Sequence, residues 1–534
     1  MLHNATGVSM EVNLLTSLSD NIRIDRDKCS ACGKCAEVCI LDNLRLQLSP
    51  CRHACPLGMN CQGYIHYLAH DKAAKGTETI RESTPFGGIL GRICSRPCEA
   101  ACNRIKVDGE AVAIRDLKRF LSDRTEAPIL YPTGAESGKS VAIAGAGPAG
   151  LTAAFILRSA GHRVTLYDRE PTPGGLLRWA IPEFRLPYEC LDRELAFLKV
   201  MNVDFQGERT LGQDLDLEGL KQQFDAVLLT LGAHGQAKLG VPGEDSDHVI
   251  PLLSFMKMVR QGQTPSLGQK VVVVGGGNGA IDAAQTALRL GTRNVTLVCL
   301  EKRHEMAAFP WSISEAEEEG VIIHNGWGPR SFHYKAGRLS VIGFKKCTAL
   351  CDAKGCFCPS YDEEATMELP CDTVIVAIGQ TIEEGWAGIV HNPVTLQSEN
   401  PKVFVAGDLA SRAGTVVEAM AQGKEAAISI DRILKGEDPE YGRRNGRAVE
   451  IDFSPDWSRA RSRARVVAPV LPMEVRKGFE EIAKGLPYEQ AVAEAERCLG
   501  CGIPFGLRTC WFCLPCEIEC PEQALHVEIP YLLR

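Results

Sequence analysis

Cysteines at fixed intervals are the residues whose type and spacing point most directly to chemistry. Cys29, Cys32, Cys35 and Cys39 stand in CSACGKCAEVC, and Cys510, Cys513, Cys516 and Cys520 stand in CWFCLPCEIECP. Both runs read C-x2-C-x2-C-x3-C, which lets three thiolates wrap one face of a [4Fe–4S] cube while the fourth reaches a second cube. Zinc normally takes two separated C-x2-C pairs and fits these runs less well. Pro521 follows the second run, whereas Ile40 stands where proline is usual after the first. Of 23 cysteines, ten lie in residues 29–102, six in 498–520 and only seven in the 395 residues of 103–497. Thiols used as small hydrophobes have no reason to recur at fixed spacing. The start, MLHNATGVSMEVNLL, lacks the basic and long apolar regions of a secretory leader. Metal in a reducing, cytoplasmic compartment is therefore expected rather than a disulfide framework.

The middle of the chain carries two glycine turns, VAIAGAGPAG at 141–150 and VVVVGGGNGA at 271–280. Each follows a β-branched run and precedes a helical stretch, and a second strand comes after, VTLYD at 164–168 and VTLVCLE at 295–301. These are two βαβ units. Gly145 and Gly275 allow the tight turn, Gly147 and Gly277 let a pyrophosphate approach the backbone, and Gly150 and Ala280 let helix and strand pack closely. The helix N-terminus, headed by Asn278 in the second copy, presents free N–H groups to the phosphates. Asp168 and Glu301 end the second strands, where an acid accepts hydrogen bonds from ribose hydroxyls. After the first copy, PGGLLRWAIPEFRLP (173–187), with Gly175 and Leu176, suits a bulky planar ligand. Later, KVFVAGDLASRAGTVVEAMAQGKEAA (402–427) reads as a strand, a Gly407-Asp408 turn and a helix entered at Gly414-Thr415-Val416. Asp408 there can bond a ribityl hydroxyl or a phosphate-bound water, and the helix N-terminus can face a flavin ring. The two turns are thus expected to bind different nucleotides.

This three-part pattern resembles two-dinucleotide flavoproteins, in which an FAD domain is split by an inserted nicotinamide domain. DAVLLTLGA (225–233) and DTVIVAIGQ (372–380) are the strands expected at the crossings. The disulfide-reductase branch needs a cysteine pair beside the flavin. Residues 151–189 hold no cysteine, and Cys299 stands alone until Cys347. Electrons are therefore expected to leave through iron.

A second resemblance lies in SPCRHACPLGMNC (49–61) and TPFGGILGRICSRPCEAACNR (84–104), which supply Cys51, Cys55, Cys61, Cys94, Cys98 and Cys102. The pattern PC-x3-CP, a spacer, then GR-x-C-x3-C-E-x2-C resembles the N-terminal domain of glutamate synthase small subunits. It is similar also to the matching parts of dihydropyrimidine dehydrogenase and of NADH-dependent ferredoxin:NADP oxidoreductases. The resemblance implies a helical domain with two [4Fe–4S] clusters ahead of the FAD and nicotinamide domains. Two departures stand out. The C-x2-C pair usual before PC-x3-CP is missing, while Cys498 and Cys501 stand in AERCLGCGIPFG (495–506). The non-cysteine ligand of the family, often Gln, is matched by Lys118, whose ammonium cannot ligate. Sixteen thiolates remain, enough for about four clusters at four irons each. Two could form where the chain ends meet, ferredoxin-fashion, and two in the helical domain, with Cys61 replacing the missing ligand. Cys347, Cys351, Cys356 and Cys358, with Cys371 nearby, form either a further metal site or a thiol-rich hairpin.

The expected architecture is an α/β two-dinucleotide-binding flavoprotein preceded by a helical iron–sulfur domain, with ferredoxin-like cluster motifs at both termini. Its parts are a cluster motif (1–48), the helical domain (49–135), the FAD domain (136–250 and 373–440), the inserted NAD(P) domain (251–372), and a linker with the C-terminal iron–sulfur segment (441–534). Length and composition agree: 534 residues, 45% apolar and 24% charged, need several cores and argue against disorder. A net charge of −8 leaves no basic excess for nucleic acid, and no apolar run suits a membrane span.

Hydride arrives as an electron pair and a [4Fe–4S] cluster accepts one electron at a time, so a flavin is needed between them. The expectation is an NAD(P)H-dependent FAD/iron–sulfur oxidoreductase subunit exchanging electrons with ferredoxin or a metalloenzyme subunit. Flavin-based electron bifurcation is compatible with that class. The alternative is a small subunit feeding a glutamate synthase through a separate amidotransferase chain; a relay with decayed nucleotide sites conflicts with the intact glycines. No side-chain acid or nucleophile stands out for catalysis. Glutamate synthase small subunits carry two adjacent arginines after the second strand of the nicotinamide domain, suited to a 2′-phosphate. The matching residues here are Leu300 and Glu301. The expectation is NAD(H) over NADP(H), with Lys302 and Arg303 either in a solvated loop or turned toward a phosphate.

Overall fold

Each glycine turn leaves the central strand of its own parallel sheet. The computed structural model describes residues 15–17, 21–25, 28–29, 34–39, 44–46, 49–124, 131, 133–411, 414–440, 443, 460–501, 510 and 513–528. The first sheet runs Val403–Val405, Ala226–Leu229, Ser140–Ala144, Arg163–Tyr167, Asp204–Gln206, all parallel. The second runs Ile322–Asn325, Asn294–Cys299, Lys270–Val274, Thr373–Val376, Val249–Pro251, also parallel. Near-continuous apolar strands such as Ala226–Leu229 are buried throughout because both faces are covered. In the second sheet, helix Asn278–Arg289 covers one side and antiparallel strands carrying Phe332, Ile342 and Phe344 cover the other. On the first sheet, helix Pro148–Ser159 packs against Val416–Leu434 closely enough that a Cβ on Gly423 would collide with the Ala149 backbone.

The boundaries of the inserted domain differ from the expected 251–372. Thr373–Val376 pairs with Val271–Val274, and Val249–Pro251 pairs with Thr373–Val376 in turn, so both belong to the second sheet. An apolar strand whose neighbours on both sides lie in one sheet cannot be cut from it at residue 372. The chain crosses between domains at the short antiparallel pair Gly235–Gln236 and Gln380–Thr381. A three-stranded antiparallel sheet, Trp327–Lys335, Arg338–Cys351 and Phe357–Pro370, lies between the last two strands of the insertion in chain order.

The N-terminal helical domain is completed from the far end of the chain. Helix Tyr488–Ala495 packs on Cys61–Ala69 and Ile114–Asp123. Its buried Glu494 carboxylate accepts from the Ala113 and Val466 N–H groups at 2.8 and 2.7 Å and from Arg497 at 2.7 Å. Arg497, 1% exposed, also donates to the Ala111 carbonyl and pairs with Asp108. A buried charge held this way is costly to move, so residues 494–498 are fixed against the N-terminal helices.

The outermost segments meet as well. Ile22–Ile24 pairs antiparallel with Leu525–Val527, and Leu15–Ser17 with Leu44–Leu46. The small core between them joins Ile22, Ala524 and Leu525 to cysteines of both runs. Lys72 and Lys75, on the helical domain, both pair with Glu522 of this module.

Candidate functional site

The first turn is built as its glycines require. Gly145 adopts φ +110°, and a Cβ there would collide with the Thr230 carbonyl, as one on Gly150 would with the Gly145 carbonyl. Gly147 is different: its φ of −81° is ordinary, and its Cβ direction is open, with no atom within 4 Å. That direction belongs to a cavity of about 630 Å³, within the size range of cofactor sites. Gly145, Gly147, Asp168, Gly175, Leu176, Gly407, Asp408, Thr415 and Val416 all line it. Gly150 lies behind the turn, where it permits the close packing. The Asp168 carboxylate accepts from the Ala146 and Glu170 N–H groups at 2.6 and 2.8 Å, which fixes it beside the turn, and burial raises its pKa. Burial likewise pushes Asp408 up to about 6. Thr415 caps the Val416–Leu434 helix by accepting from the Glu418 N–H. The open cradle at Gly147, two helix N-termini and a cavity of this size fit an FAD.

The second turn repeats the arrangement. Gly275 has φ +143° against the Ala377 carbonyl, Gly277 opens onto free space, and Ala280 is buried on the face of helix Asn278–Arg289 that packs on the sheet. The Glu301 carboxylate lies against the turn, so close that a Cβ on Gly276 would stand 2.5 Å from it. Arg303 is held by Glu317 at 2.6 Å, and Lys302 lies 3.9 Å from Glu305. Asn278 accepts from the Phe309 N–H at 3.0 Å and also lines the cavity.

Several residues of the cavity carried no sequence signal. Arg185, inside PEFRLP, pairs with Asp282 and Glu315 of the inserted domain and donates to Gln285 at 2.7 Å. Glu481, Ile482 and Ala483 arrive from the C-terminal strap, where Glu481 pairs with Arg92 at 2.7 Å and with Arg119 at 2.9 Å. Arg92 is the arginine of GR-x-C, and Cys94 of the same motif reaches the cavity wall.

The eight thiols of the helical domain fall into two sets. Cys51, Cys102, Cys498 and Cys501 line one small void, with burial raising Cys498 and pushing Cys501 up to about 12. Cys55, Cys61, Cys94 and Cys98 form the other set, near the buried Lys118, whose helix Ile114–Asp123 packs against Cys61–Ala69, Gly87–Ile93 and Pro97–Ala100. Cys61 stands at the border, in side-chain contact with Cys51, Cys55 and Cys98. The Cys61 hydrogen bond, with help from Lys118, brings Cys55 down to about 6. Burial alone would lower Lys118; Cys94, Cys98, Cys55 and Cys61 more than offset this and raise it. Thiolate donors in two sets of four suit [4Fe–4S] clusters. At the chain ends, Cys29, Cys35, Cys39, Cys510, Cys516 and Cys520 share one core; Cys513 is exposed, and Cys32 lies outside the described residues.

Cys351, Cys356 and Cys358 are exposed at the end of the long hairpin, Cys347 is partly exposed, and Cys371 is buried. Among the described residues, no three His, Cys, Asp or Glu side chains converge there or elsewhere as chelators of a single ion. Nor is any described helix long and apolar enough to cross a membrane.

Comparison with known proteins gives consistent results. Residues 139–423 match the pyridine nucleotide-disulphide oxidoreductase family, and residues 22–128 match dihydropyrimidine dehydrogenase domain II, 4Fe-4S cluster. The NADP(+)-dependent formate dehydrogenase subunit beta of Moorella thermoacetica is 35% identical over 501 residues, covering 85% of this chain and 70% of that protein. The NADPH-Fe(3+) oxidoreductase subunit beta of Geobacter sulfurreducens is 32% identical over 512 residues, covering 85% and 75%. The NAD-dependent dihydropyrimidine dehydrogenase subunit PreT of Escherichia coli is 34% identical over 399 residues, covering 73% and 92%. Among solved structures, Mycobacterium tuberculosis FprA in complex with NADPH superposes with a TM-score of 0.50 at 17% identity, covering 56% of this chain and 85% of that one, a likeness of fold alone.

Proposed function

The chain belongs to the pyridine nucleotide-disulphide oxidoreductase family, and from that premise we propose that it carries electrons from NADH through FAD and about four [4Fe–4S] clusters to a partner redox subunit or ferredoxin. At the coarser level it is an NAD(P)H-dependent FAD/4Fe-4S oxidoreductase subunit of a complex. One observation carries the finer reading. A single cavity touches the first glycine turn, Asn278 of the inserted domain and Cys94 of the Lys118 thiol set.

Bound FAD supplies the exchange between hydride and single electrons. The chain's own residues do the positioning. Gly145, Gly147 and the helix N-terminus at Pro148 receive the pyrophosphate, while Thr415 and Val416 present a second helix N-terminus to the ring. Arg185 clasps the inserted domain to the FAD domain, so that a nicotinamide bound at Gly277 is held at a set angle. Glu481, Ile482 and Ala483 close the cavity beside Arg92 and exclude water. Lys72 and Lys75 hold the terminal module to the helical domain, and that module, with Cys513 exposed, is the exit toward a partner.

The test is anaerobic purification with native partners, followed by iron, flavin and subunit analysis. About 16 irons and one FAD per chain are expected from the four-iron stoichiometry. Saturation at about four to eight irons would refute the cluster count, and zinc in place of iron would overturn the electron-transfer reading.

A further inference from the structure

Lys118 sits where a long cationic side chain is least expected. It belongs to helix Ile114–Asp123, is only 5% exposed, and that helix packs against Cys61–Ala69, Gly87–Ile93 and Pro97–Ala100, on or beside which Cys61, Cys94 and Cys98 stand. The Cys94, Cys98, Cys55 and Cys61 thiols lie close enough to act on its charge. Burying an ammonium costs several kcal/mol unless an anion lies beside it. The neighbouring thiolates supply that anion. The same set lies next to the flavin cavity, since Cys94 lines both.

We propose that Lys118 is a positioning charge rather than a ligand, and that it raises the reduction potential of the cluster held by Cys55, Cys61, Cys94 and Cys98. This rests on the reading of those four thiols as a [4Fe–4S] site. Four thiolates make that site one charge more negative than three thiolates with a neutral fourth ligand. Reduction adds one electron and no proton, so the reduced form carries one further negative charge. A fixed ammonium in a low-dielectric setting stabilises the reduced form more than the oxidised one. Lys118 thus offsets the extra thiolate of Cys61 and keeps the first acceptor within reach of the flavin.

The test uses the full chain, purified anaerobically as wild type, Lys118→Gln, Lys118→Leu and Lys118→Arg, with potentiometric titration followed by electron paramagnetic resonance. With iron and flavin content unchanged, the Gln and Leu variants should shift one cluster to lower potential and leave the others in place. At the wild-type midpoint the oxidised-to-reduced ratio of that cluster should rise at least about tenfold, or about 59 mV for one electron. Lys118→Arg, which keeps the positive charge, should hold the midpoint close to the wild-type value. An unmoved midpoint in a fully loaded Gln or Leu variant overturns the proposal, as does loss of iron from both, which would make Lys118 an assembly element. A Cys98→Ser variant separates the underlying reading. It should lose about four irons, and full retention would refute the ligand set whatever Lys118 does.

Discussion

Gly147→Leu is expected to yield a folded, iron-containing protein that holds no FAD. The residue adopts an ordinary φ of −81°, so leucine brings no backbone strain, and its Cβ would meet no atom within 4 Å. The space it enters is the cavity itself, at the point where a pyrophosphate must come within hydrogen-bonding distance of the N–H groups at the helix N-terminus. Flavin released on denaturation should fall to background, and NADH-driven electron transfer should drop by at least about 100-fold, as expected when a cofactor is absent. Thermal unfolding of the flavin-free wild type and of the variant should coincide. Gly145→Leu and Gly150→Leu provide the contrast, because their side chains would strike the Thr230 and Gly145 carbonyls and disturb the fold itself. Wild-type flavin occupancy in Gly147→Leu would show that the first turn is not the FAD site.

That contrast between neighbouring glycines reflects what can be read from sequence and what cannot. The turns, their strands and helices, and the acids at Asp168 and Glu301 are local patterns, written within some thirty residues by glycine spacing and β-branched runs. Counting thiols also placed Cys498 and Cys501 with the N-terminal set, because the usual C-x2-C pair was missing there. Long-range pairings left no such trace. The contacts of Glu494 with Ala113 and of Arg497 with Asp108 that fix Cys498 in place, the Arg185 clasp and the strap residue Glu481 depend on partners hundreds of residues away or in another domain. A charged residue in a polar-looking stretch gives no periodicity to show that it is buried. The domain boundary at residue 376 was missed for a related reason: an apolar parallel strand looks the same whichever sheet it joins.

The wild type is expected to prefer NADH, and Leu300→Arg/Glu301→Arg to prefer NADPH. Glu301 stands two residues beyond strand Asn294–Cys299, its carboxylate against Gly276 in the turn that would hold the adenosine pyrophosphate. An acid there accepts from both ribose hydroxyls and repels a 2′-phosphate dianion. The cations that could reverse this are already engaged, Arg303 by Glu317 at 2.6 Å and Lys302 near Glu305 at 3.9 Å. Relatives of similar identity carry opposite names, NADP(+)-dependent formate dehydrogenase and NADPH-Fe(3+) oxidoreductase against NAD-dependent dihydropyrimidine dehydrogenase, so overall likeness does not decide the matter. Local charge should. One charge-assisted hydrogen bond gained and one lost, each about 1.5–3 kcal/mol, should swing the kcat/KM ratio between coenzymes by about 100-fold or more. Glu301→Gln, which removes the repulsion without adding a cation, should fall between the two. The measurement is anaerobic flavin reduction by each coenzyme; an equal or higher kcat/KM with NADPH in the wild type would sink the assignment, and place phosphate recognition on Lys302 or Arg303 instead.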